Sequence, residues 1–368
     1  MLEPSRRLWA GLALSGLLLA CGPGAAAPAS RPPPADGAGS ASSSSAGPAP
    51  SSAVSAPEAA PPRARLRIAY SELTAGQVIN WVTQEAGIYA SHGLDAEQSY
   101  VPSAQTAAAV LAGEMDVGLG GGYVAVASRV AGSDLTIFVG GTNWMAFVFQ
   151  VVPEITTPDD LRGKIIGISR FGSSSDNATR MALNYFGLDP EKDVTLIQTG
   201  SLQERVAAMQ SGALHGAVAL VPQSTLLRRL GFKTLLDLRT IGEEEMNNQG
   251  YATSAWLDGQ EAAAQAFVEA EIEGLYYART HREFAEAVIA QYLKLDDAEM
   301  VAESYDYYVT QRDDRTVRPA VNAARKYLAS LAATDPRAAS VRLEDAVTTR
   351  FVDRAVASGL IERLYGEQ

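Results

Sequence analysis

The pattern of apolar and polar positions divides the chain into three parts. Residues 8–20 form a short apolar run without a charge, and residues 22–64 are almost entirely Ala, Pro, Ser and Gly, with no apolar period. From residue 65 onward, apolar positions recur with the alternating spacing of strands and the three-to-four-residue spacing of helices. The pattern therefore predicts one folded region, residues 65–368, behind two N-terminal segments of different character.

Within the folded region, strand and helix patterns alternate twice. The predicted strands are 66–70, 98–101, 115–119 and 135–139 in the first half, and 164–169, 194–198 and 217–220 in the second. The predicted helices are 77–89, 103–112 (capped by Ser103) and 123–131 in the first half, and 202–211, 224–230 and one that ends at 186 in the second. Such alternation predicts βαβ units and largely parallel sheets.

Two segments are predicted to cross between the halves. Residues 147–152 form an apolar, β-rich run that leads into the second half, and residues 251–257 return from it. The predicted fold class is therefore α/β, with lobe 1 formed by 65–150 plus 251–368 and lobe 2 by 151–250. The pattern from 261 to 365 is almost wholly helical. A cleft between two such lobes, outside the carboxyl ends of the strands, is where small ligands bind.

The N-terminal run predicts export. Arg6 and Arg7 precede about a dozen apolar residues, which is too short a run to span a hydrocarbon core of about 30 Å and fits a signal peptide over residues 1–20. The run ends in Leu18-Leu19-Ala20-Cys21, which resembles a bacterial lipobox. We expect Cys21 to carry the lipid that anchors the protein on the extracytoplasmic, periplasmic face of a bacterial membrane. The alternative is an ordinary secretory signal with an incidental cysteine.

Residues 21–64 are predicted to be a disordered tether behind the lipidated cysteine, because they contain too few large apolar side chains to offset the entropy of ordering the chain. A tethered domain could visit a membrane partner and still sample the surrounding fluid. The simpler alternative is that the tether only clears the lipid surface.

Charge and cysteine content narrow the class of partner. The net charge is −12, which argues against nucleic acid as a partner. Cys21 is the only cysteine, so no disulfide can form within one molecule and the fold depends on its core alone. We expect a monomer.

No catalytic, metal or cofactor set is predicted. His92, His215 and His281 have no metal-ligand spacing. The glycines Gly120 and Gly122 follow a strand as in a dinucleotide fingerprint, but the acidic residue expected about twenty positions later is missing. A glycine corner that lets a ligand approach the backbone is the better interpretation.

Five short elements carry a family resemblance. They are residues 87–95 (GIYASHGLD), 111–118 (LAGEMDVG), 161–167 (LRGKIIG), 187–190 (GLDP) and 205–212 (RVAAMQSG). In this order they resemble type 2 periplasmic solute-binding proteins of ABC transporters, in the NMT1/THI5-like, SsuA-like group that serves nitrate, taurine, alkanesulfonate and thiamine-pyrimidine uptake. The resemblance covers residues 65–256. The helical C-terminal part fits in character without a matching motif.

The resemblance implies ligand contacts on the loops that follow the strands. By position these are Ser71, Glu72, Leu73, Gly121, Gly122, Tyr123, Asn143, Trp144, Arg170, Ser173, Ser174, Ser175, Asp176 and Gln223.

Three of these serines, Ser173, Ser174 and Ser175, open a predicted helix, where free backbone N–H groups and the helix dipole favour a carboxylate, sulfonate or phosphate. Alternatively, one serine or Asp176 simply caps the helix. Asp176 already supplies negative charge there, and Arg170 either offsets it or faces solvent.

Three other candidate side chains have open roles. Trp144 and Tyr123 could stack on a flat or apolar ligand, although a tryptophan between strands is as often half-buried packing. Glu72 could bind a cationic or amide group, or it could be a solvated surface residue.

The resemblance implies a protein that captures a small organic molecule, sulfonate- or pyrimidine-like, and delivers it to an ABC permease with its ATPase. One alternative is a sensor that uses the same cleft. Another is an enzyme like the thiamine-pyrimidine synthases, which use cysteine and histidine. The only cysteine here lies in the predicted lipobox, so we expect no enzyme activity.

Overall fold

The computed structural model describes residues 63–366. The predicted signal peptide, Cys21 and the tether up to residue 62 lie outside the described residues. The first strand begins at Ala64, so this last residue of the predicted tether belongs to the folded region.

The strands within the described residues form two separate five-stranded sheets. Their bounds are β1 Ala64–Tyr70, β2 Leu94–Tyr100, β3 Val117–Gly120, β4 Leu135–Trp144, β5 Val148–Val151, β6 Ile165–Ile168, β7 Thr195–Gln198, β8 Gly216–Ala219, β9 Lys233–Asp237 and β10 Glu244–Thr253.

The helices surround these sheets. They are α1 Val78–Glu85, α2 Ile88–Ser91, α3 Ser103–Leu111, α4 Gly122–Val130, α5 Ser174–Tyr185, α6 Leu202–Gln210, α7 Gln223–Arg229, α8 Ser254–Gly259, α9 Glu261–Thr280, α10 Arg282–Leu293, α11 Ala298–Tyr305, α12 Val321–Ala332, α13 Leu343–Ala346, α14 Arg350–Ala357 and α15 Leu360–Tyr365. A π-helical turn, Asp306–Thr310, extends α11.

Both sheets share one strand arrangement. The first has the order β2-β1-β3-β10-β4, and the second has the order β7-β6-β8-β5-β9. In each, three strands pair in parallel and the fourth position is filled by an antiparallel strand: β10 between β3 and β4, and β5 between β8 and β9. The predicted parallel α/β halves are therefore confirmed.

The chain crosses between the sheets twice, as predicted. The first crossing, Met145 to Phe147, is buried and leads from β4 into β5. The second lies between β9 and β10, so its predicted position at 251–257 was wrong, because those residues belong to β10 and α8. The predicted lobe boundaries at residues 150 and 250 fall inside these two antiparallel strands and stay a prediction. Here, lobe 1 denotes the part of the chain around the first sheet, and lobe 2 the part around the second.

The C-terminal helices pack mainly on the first sheet, in agreement with the helical pattern from 261 to 365. Phe267 of α9 and Phe351 of α14 are fully buried and both contact Phe138 of β4, with ring centroids 5.7 and 5.9 Å apart. Helix α11 also reaches the second lobe, where its Glu303 pairs with Arg228 and accepts a hydrogen bond from Thr225.

Three local predictions were wrong. The predicted helix 77–89 is interrupted at Gly87, whose φ of 71° is the left-handed conformation that ends one helix and begins another. Ser103 is not a cap, because Pro102 occupies the N-cap position of α3. Strand β2 begins at Leu94, not 98. This strand lies at the edge of its sheet, and most of its residues are polar and at least partly exposed, so the apolar pattern did not indicate its first residues.

Two further strands were missed by sequence reasoning. Strand β9 was not predicted, and neither was β10 (Glu244–Thr253), whose last three residues were included in the crossing segment predicted at 251–257. The reason is composition, because residues 244–249 are Glu, Glu, Met, Asn, Asn and Gln, of which 245–249 are all buried. No apolar period marks such a strand.

Candidate functional site

The two lobes contact each other near the carboxyl ends of their parallel strands. Gly121, directly after β3, lies so close to Ser174 at the start of α5 that a Cβ on Gly121 would sit 3.0 Å from the Ser174 Oγ. Two residues further on, the hydroxyl of Tyr123 accepts a hydrogen bond from Asn177 Nδ2 at 2.8 Å. These contacts place the carboxyl ends of both sheets across one interlobe cleft.

In the first lobe, Ser71 forms the back of this cleft. Its backbone N–H donates to the Leu119 carbonyl at 2.9 Å, which joins the ends of β1 and β3. Its hydroxyl is buried without a hydrogen-bond partner. A Cβ on Gly120 would come within 2.2 Å of that hydroxyl, so only glycine fits beside it. The predicted glycine corner is therefore a packing requirement.

In the second lobe, the serine loop is organised by its own hydrogen bonds. Ser173 is the N-cap of α5, because its Oγ accepts from the Asp176 N–H, and it also donates to the Arg170 carbonyl at 2.7 Å. Ser175 is buried, and its Oγ accepts from the Ser169 N–H at 2.9 Å. Ser174 has no hydrogen-bond partner among the described residues.

Asp176 has a structural part in the same loop. Its Oδ2 accepts from the Gly172 N–H at 2.8 Å, and its Oδ1 accepts from Arg180 Nε at 2.7 Å. Both oxygens of this carboxylate therefore accept hydrogen bonds from its own lobe, which fits the alternative of a structural role at the start of the helix. Arg170 is exposed.

A pair of opposite charges faces across the cleft. Burial raises the pKa of Glu72 to about 7, and the attraction of Arg205 opposes that rise. Burial lowers the pKa of Arg205, on α6 of the other lobe, to about 10, and Glu72 opposes that change. Arg205 is only 4% exposed, and its Nε has no hydrogen-bond partner while its Nη1 donates to the Gly200 carbonyl at 3.3 Å. Glu72 is therefore not an ordinary solvated carboxylate.

Aromatic side chains line the same region. Tyr308, from the π-helical turn, is buried with an unpartnered hydroxyl, and burial raises its pKa, with Tyr307 and Glu72 as further causes. The half-buried Trp144 lies beside the Tyr307 phenol, which also receives the Arg239 guanidinium 4.8 Å from its ring centroid. These aromatic groups come from β4 and from the C-terminal helices.

The remaining predicted residues divide between cleft and scaffold. Gln223, the first residue of α7, has a buried and unpartnered Oε1. Asn143 has a structural role, because its Nδ2 donates to the Arg318 carbonyl and its Oδ1 accepts a hydrogen bond from Gln249. Gly122 packs against Gln249 and Met246, and Leu73 is 39% exposed.

Sequence reasoning missed several polar groups at the surfaces between the lobes. Arg205 lay inside a quoted family element but was not recognised as a site residue. Glu245, Asn177 and Tyr308 carried no signal of their own. The usable signal was in β10, where a run of polar residues between two α/β halves suggests a polar buried strand.

The family comparison decides the class of the chain. A family model described as NMT1/THI5 like matches residues 78–285. This chain belongs to the NMT1/THI5-like family. The match includes every strand except β1 and extends through α9 to the start of α10, so the resemblance expected from five short elements is confirmed. No curated protein sequence matches this member of the family.

Solved structures confirm the fold. The alkanesulfonate-binding protein SsuA from Xanthomonas axonopodis pv. citri, bound to MOPS, has a TM-score of 0.64 and 19% identity, covering 79% of this chain and 100% of that chain. The periplasmic aliphatic sulphonate-binding protein SsuA from Escherichia coli has a TM-score of 0.62 and 21% identity, covering 75% and 88%. The two-lobed periplasmic-binding-protein fold is therefore established for this NMT1/THI5-like chain.

The same fold also supports an enzyme. The desulfurization enzyme DSZB has a TM-score of 0.61 and 16% identity, covering 80% of this chain and 99% of that chain. Fold similarity alone therefore does not separate binding from catalysis among proteins with this fold.

Two features are absent from residues 63–366. No helix in this part of the chain is both long and apolar enough to span a membrane. The same residues contain no group of three or more His, Cys, Asp or Glu side chains that could hold a metal ion.

Proposed function

We propose that this protein is an extracytoplasmic, lipid-anchored solute-binding protein that captures a small organic molecule in the interlobe cleft and delivers it to an ABC importer. The observation that carries the proposal is a set of buried polar atoms without partners, contributed by both lobes: Ser71 Oγ after β1, Gln223 Oε1 at the start of α7, Arg205 Nε in α6 and Tyr308 OH in the π-helical turn. Buried polar groups are normally hydrogen-bonded, so a convergent unpaired set is the mark of a polar ligand site.

The chemistry of this set favours a ligand with an anionic or hydrogen-bond-accepting head. Arg205 is a buried cation with a free N–H, and Ser174 lies at the positive end of α5 with an uncommitted hydroxyl. Glu72 on the opposite wall offers an acceptor to an amine or amide. A sulfonate- or pyrimidine-like compound meets these demands, and Trp144 provides an aromatic surface beside them.

Lobe closure is part of the proposed mechanism. The cleft lies between lobes joined by two crossings, and a ligand that contacts Ser71 on one side and Arg205 on the other stabilises the closed arrangement through these differential contacts. The closed form is the one proposed to dock on the permease. The same cleft in a sensor would close in the same way, and neighbouring genes for a permease and an ATPase distinguish the two roles.

The experiment that tests the cleft is a thermal-shift screen of the full chain against sulfonates, nitrate, pyrimidines and amino acids. We expect a sulfonate or a pyrimidine to raise the melting temperature. For the confirmed ligand, Arg205→Met, Ser174→Ala and Trp144→Ala should each weaken binding, whereas Glu154→Gln, at an exposed position outside the cleft, should not. Unchanged affinity in all three cleft variants would overturn the site.

The anchor has its own test. Cys21→Ser should release the protein from membranes into the soluble fraction, because the lipid has no other attachment point. Continued membrane association of this variant would contradict the lipobox while leaving the cleft proposal intact.

A further inference from the structure

A second groove lies between the lobes, on the outer face of α5. It has a volume of about 580 Å³. Its walls are α5 of the second lobe and α12 of the first, and residues 241–245, around the second crossing, complete it. Of the residues predicted to bind ligand, only Tyr123 lines this groove.

Glu245, in β10, is the unusual member of the lining. Its side chain is only 5% exposed, its Oε1 accepts from Asn177 Nδ2 at 3.3 Å, and its Oε2 is buried without any partner. A buried carboxylate oxygen without a hydrogen bond is unfavourable unless a ligand satisfies it.

The two neighbouring glutamates already have partners within the protein. Glu243 pairs with Lys326, and Glu244 Oε2 accepts from the Ala323 N–H at 3.0 Å at the start of α12. The only other cation of the lining, Arg180, is held by Asp176 and Glu191. Glu245 therefore has no cation at contact distance, although two basic side chains line the same groove.

The walls suit an organic cation better than a metal ion. Tyr123, Tyr185 and Tyr327 line the groove together with Met181 and Ile241. Tyrosine rings attract ammonium groups through their π faces, and the apolar side chains accept a hydrocarbon body. The three adjacent glutamates do not form a cluster that could hold a metal within the described residues.

We propose that this groove binds an organic ammonium ion, whose N–H groups donate to Glu245 Oε2 and whose carbon chain lies against the tyrosines. Because the lining comes from both lobes and from the second crossing, occupancy is expected to favour one lobe arrangement over the other. Asn177 connects the two sites, since it donates both to Glu245 and to Tyr123 beside the cleft. The groove is thus an effector site distinct from the solute cleft.

The test uses 1,4-diaminobutane as the probe and isothermal titration calorimetry of the full chain. We expect saturable binding that Glu245→Gln weakens by about tenfold or more, because a charge-assisted hydrogen bond is lost while the acceptor for Asn177 remains. Glu154→Gln is the matched control and should bind as the unaltered chain does. Absence of saturable binding, or equal affinity in Glu245→Gln, would overturn the inference.

Two further variants test the inference when Glu245→Gln does not fold or when the cation binds in the cleft. Tyr185 is 62% exposed, so Tyr185→Ala should fold normally and still weaken diamine binding about threefold if the aromatic wall contributes. If Glu245→Gln does not fold, unchanged diamine binding in Tyr185→Ala overturns the inference.

Glu72→Gln separates the groove from the cleft. Loss of diamine binding in this variant, with binding kept in Glu245→Gln, would place the cation in the cleft and overturn the inference. Failure of every sulfonate and pyrimidine to bind would count against the proposed function alone.

Discussion

Strands β5 and β10 occupy equivalent positions in the two sheets, yet they bury different chemistry. Strand β5 (Val148–Val151) buries three apolar side chains and Gln150. Strand β10 (Glu244–Thr253) buries Glu245 and the run Asn247, Asn248 and Gln249. Both are antiparallel strands inserted between parallel neighbours, so their topology does not require this difference.

The difference follows from what each strand borders. Strand β5 lies between β8 and β9 in the smaller lobe, where packing dominates. Strand β10 runs from the outer groove to the sheet centre, and its amides tie distant segments together. Asn248 Nδ2 donates to the Gly76 carbonyl at 2.9 Å, and Gln249 Oε1 accepts from the Ala320 N–H at 3.0 Å. A polar strand of this kind organises the interlobe surfaces.

The largest expected effect tests how tightly the two strands are packed. A Cβ on Gly250 in β10 would lie 2.1 Å from Val139 Cγ1, whereas one on Gly216, which pairs with β5, would lie 3.1 Å from the nearest atom. We expect Gly250→Ala to lower the free energy of unfolding by about 3 kcal/mol and Gly216→Ala by about 1 kcal/mol. Urea denaturation measures both. Equal losses would contradict the comparison.

A pH series tests the buried charge of β10. Burial raises the pKa of Glu245 to about 7 from an ordinary value of 4.5, while the Met246 backbone N–H and the charge of Lys326 oppose that rise. The folded state therefore binds a proton that the unfolded state releases, so this group's contribution to stability falls as pH rises from about 5 to 8. Glu245→Gln should reduce the loss of unfolding free energy over that range by about 2 kcal/mol.

The control for the pH series is the exposed Glu154→Gln, which should follow the unaltered chain. Denaturation of the three proteins at pH 5 and pH 8 measures the difference. Burial also raises the pKa values of Glu72 and Glu271 to about 7, so the Glu245→Gln variant should still lose some stability. Identical pH slopes in all three proteins would show that Glu245 is not the titrating group.

A pair of conservative substitutions compares the glutamines of the two strands. Gln249 is fully buried, and its amide contacts Asn143, the Asn248 carbonyl and the Ala320 N–H. Gln150 donates to Thr234 at 2.9 Å and to the Ser224 carbonyl at 3.4 Å, and its Oε1 is unpartnered. We expect Gln249→Met to destabilise the protein by about 2 kcal/mol and Gln150→Met by less than about 1 kcal/mol, because the first removes more and shorter hydrogen bonds of buried groups. A larger loss for Gln150→Met would reverse the interpretation.

The smallest effect concerns helix starts in the two lobes. Ser173 caps α5 through the Asp176 N–H, whereas Ser103 in α3 follows an N-cap proline and makes no cap hydrogen bond. Ser173→Ala should lower the melting temperature in line with a loss of about 1 kcal/mol, and Ser103→Ala should leave it unchanged. Calorimetry of both variants decides. A loss in Ser103→Ala would restore the capping role that the sequence pattern suggested.

Local pattern was enough for most of the fold. Strands β1, β3, β6, β7 and β8 begin and end within two residues of their predicted bounds. These strands are marked by the period of their apolar residues and by flanking glycines, and both features extend over only a few residues of sequence. The ligand-binding role of the candidate site residues stays a prediction, with Ser71, Glu72, Ser174 and Gln223 proposed to border the cleft, whereas the side chains of Asn143 and Asp176 make hydrogen bonds within the scaffold.

What the sequence by itself determined is the alternation of strands and helices, the two crossings and the family, because each depends on residues that are close in the chain. Only the tertiary structure decided that β10 is a buried polar strand, that Arg205 faces Glu72, and that the Oε2 atom of Glu245 lies unpartnered beside a second groove. These features depend on residues that are far apart in the chain, for instance Glu72 and Arg205. Burial and charge pairing arise only when the two lobes meet, so no local pattern carries them.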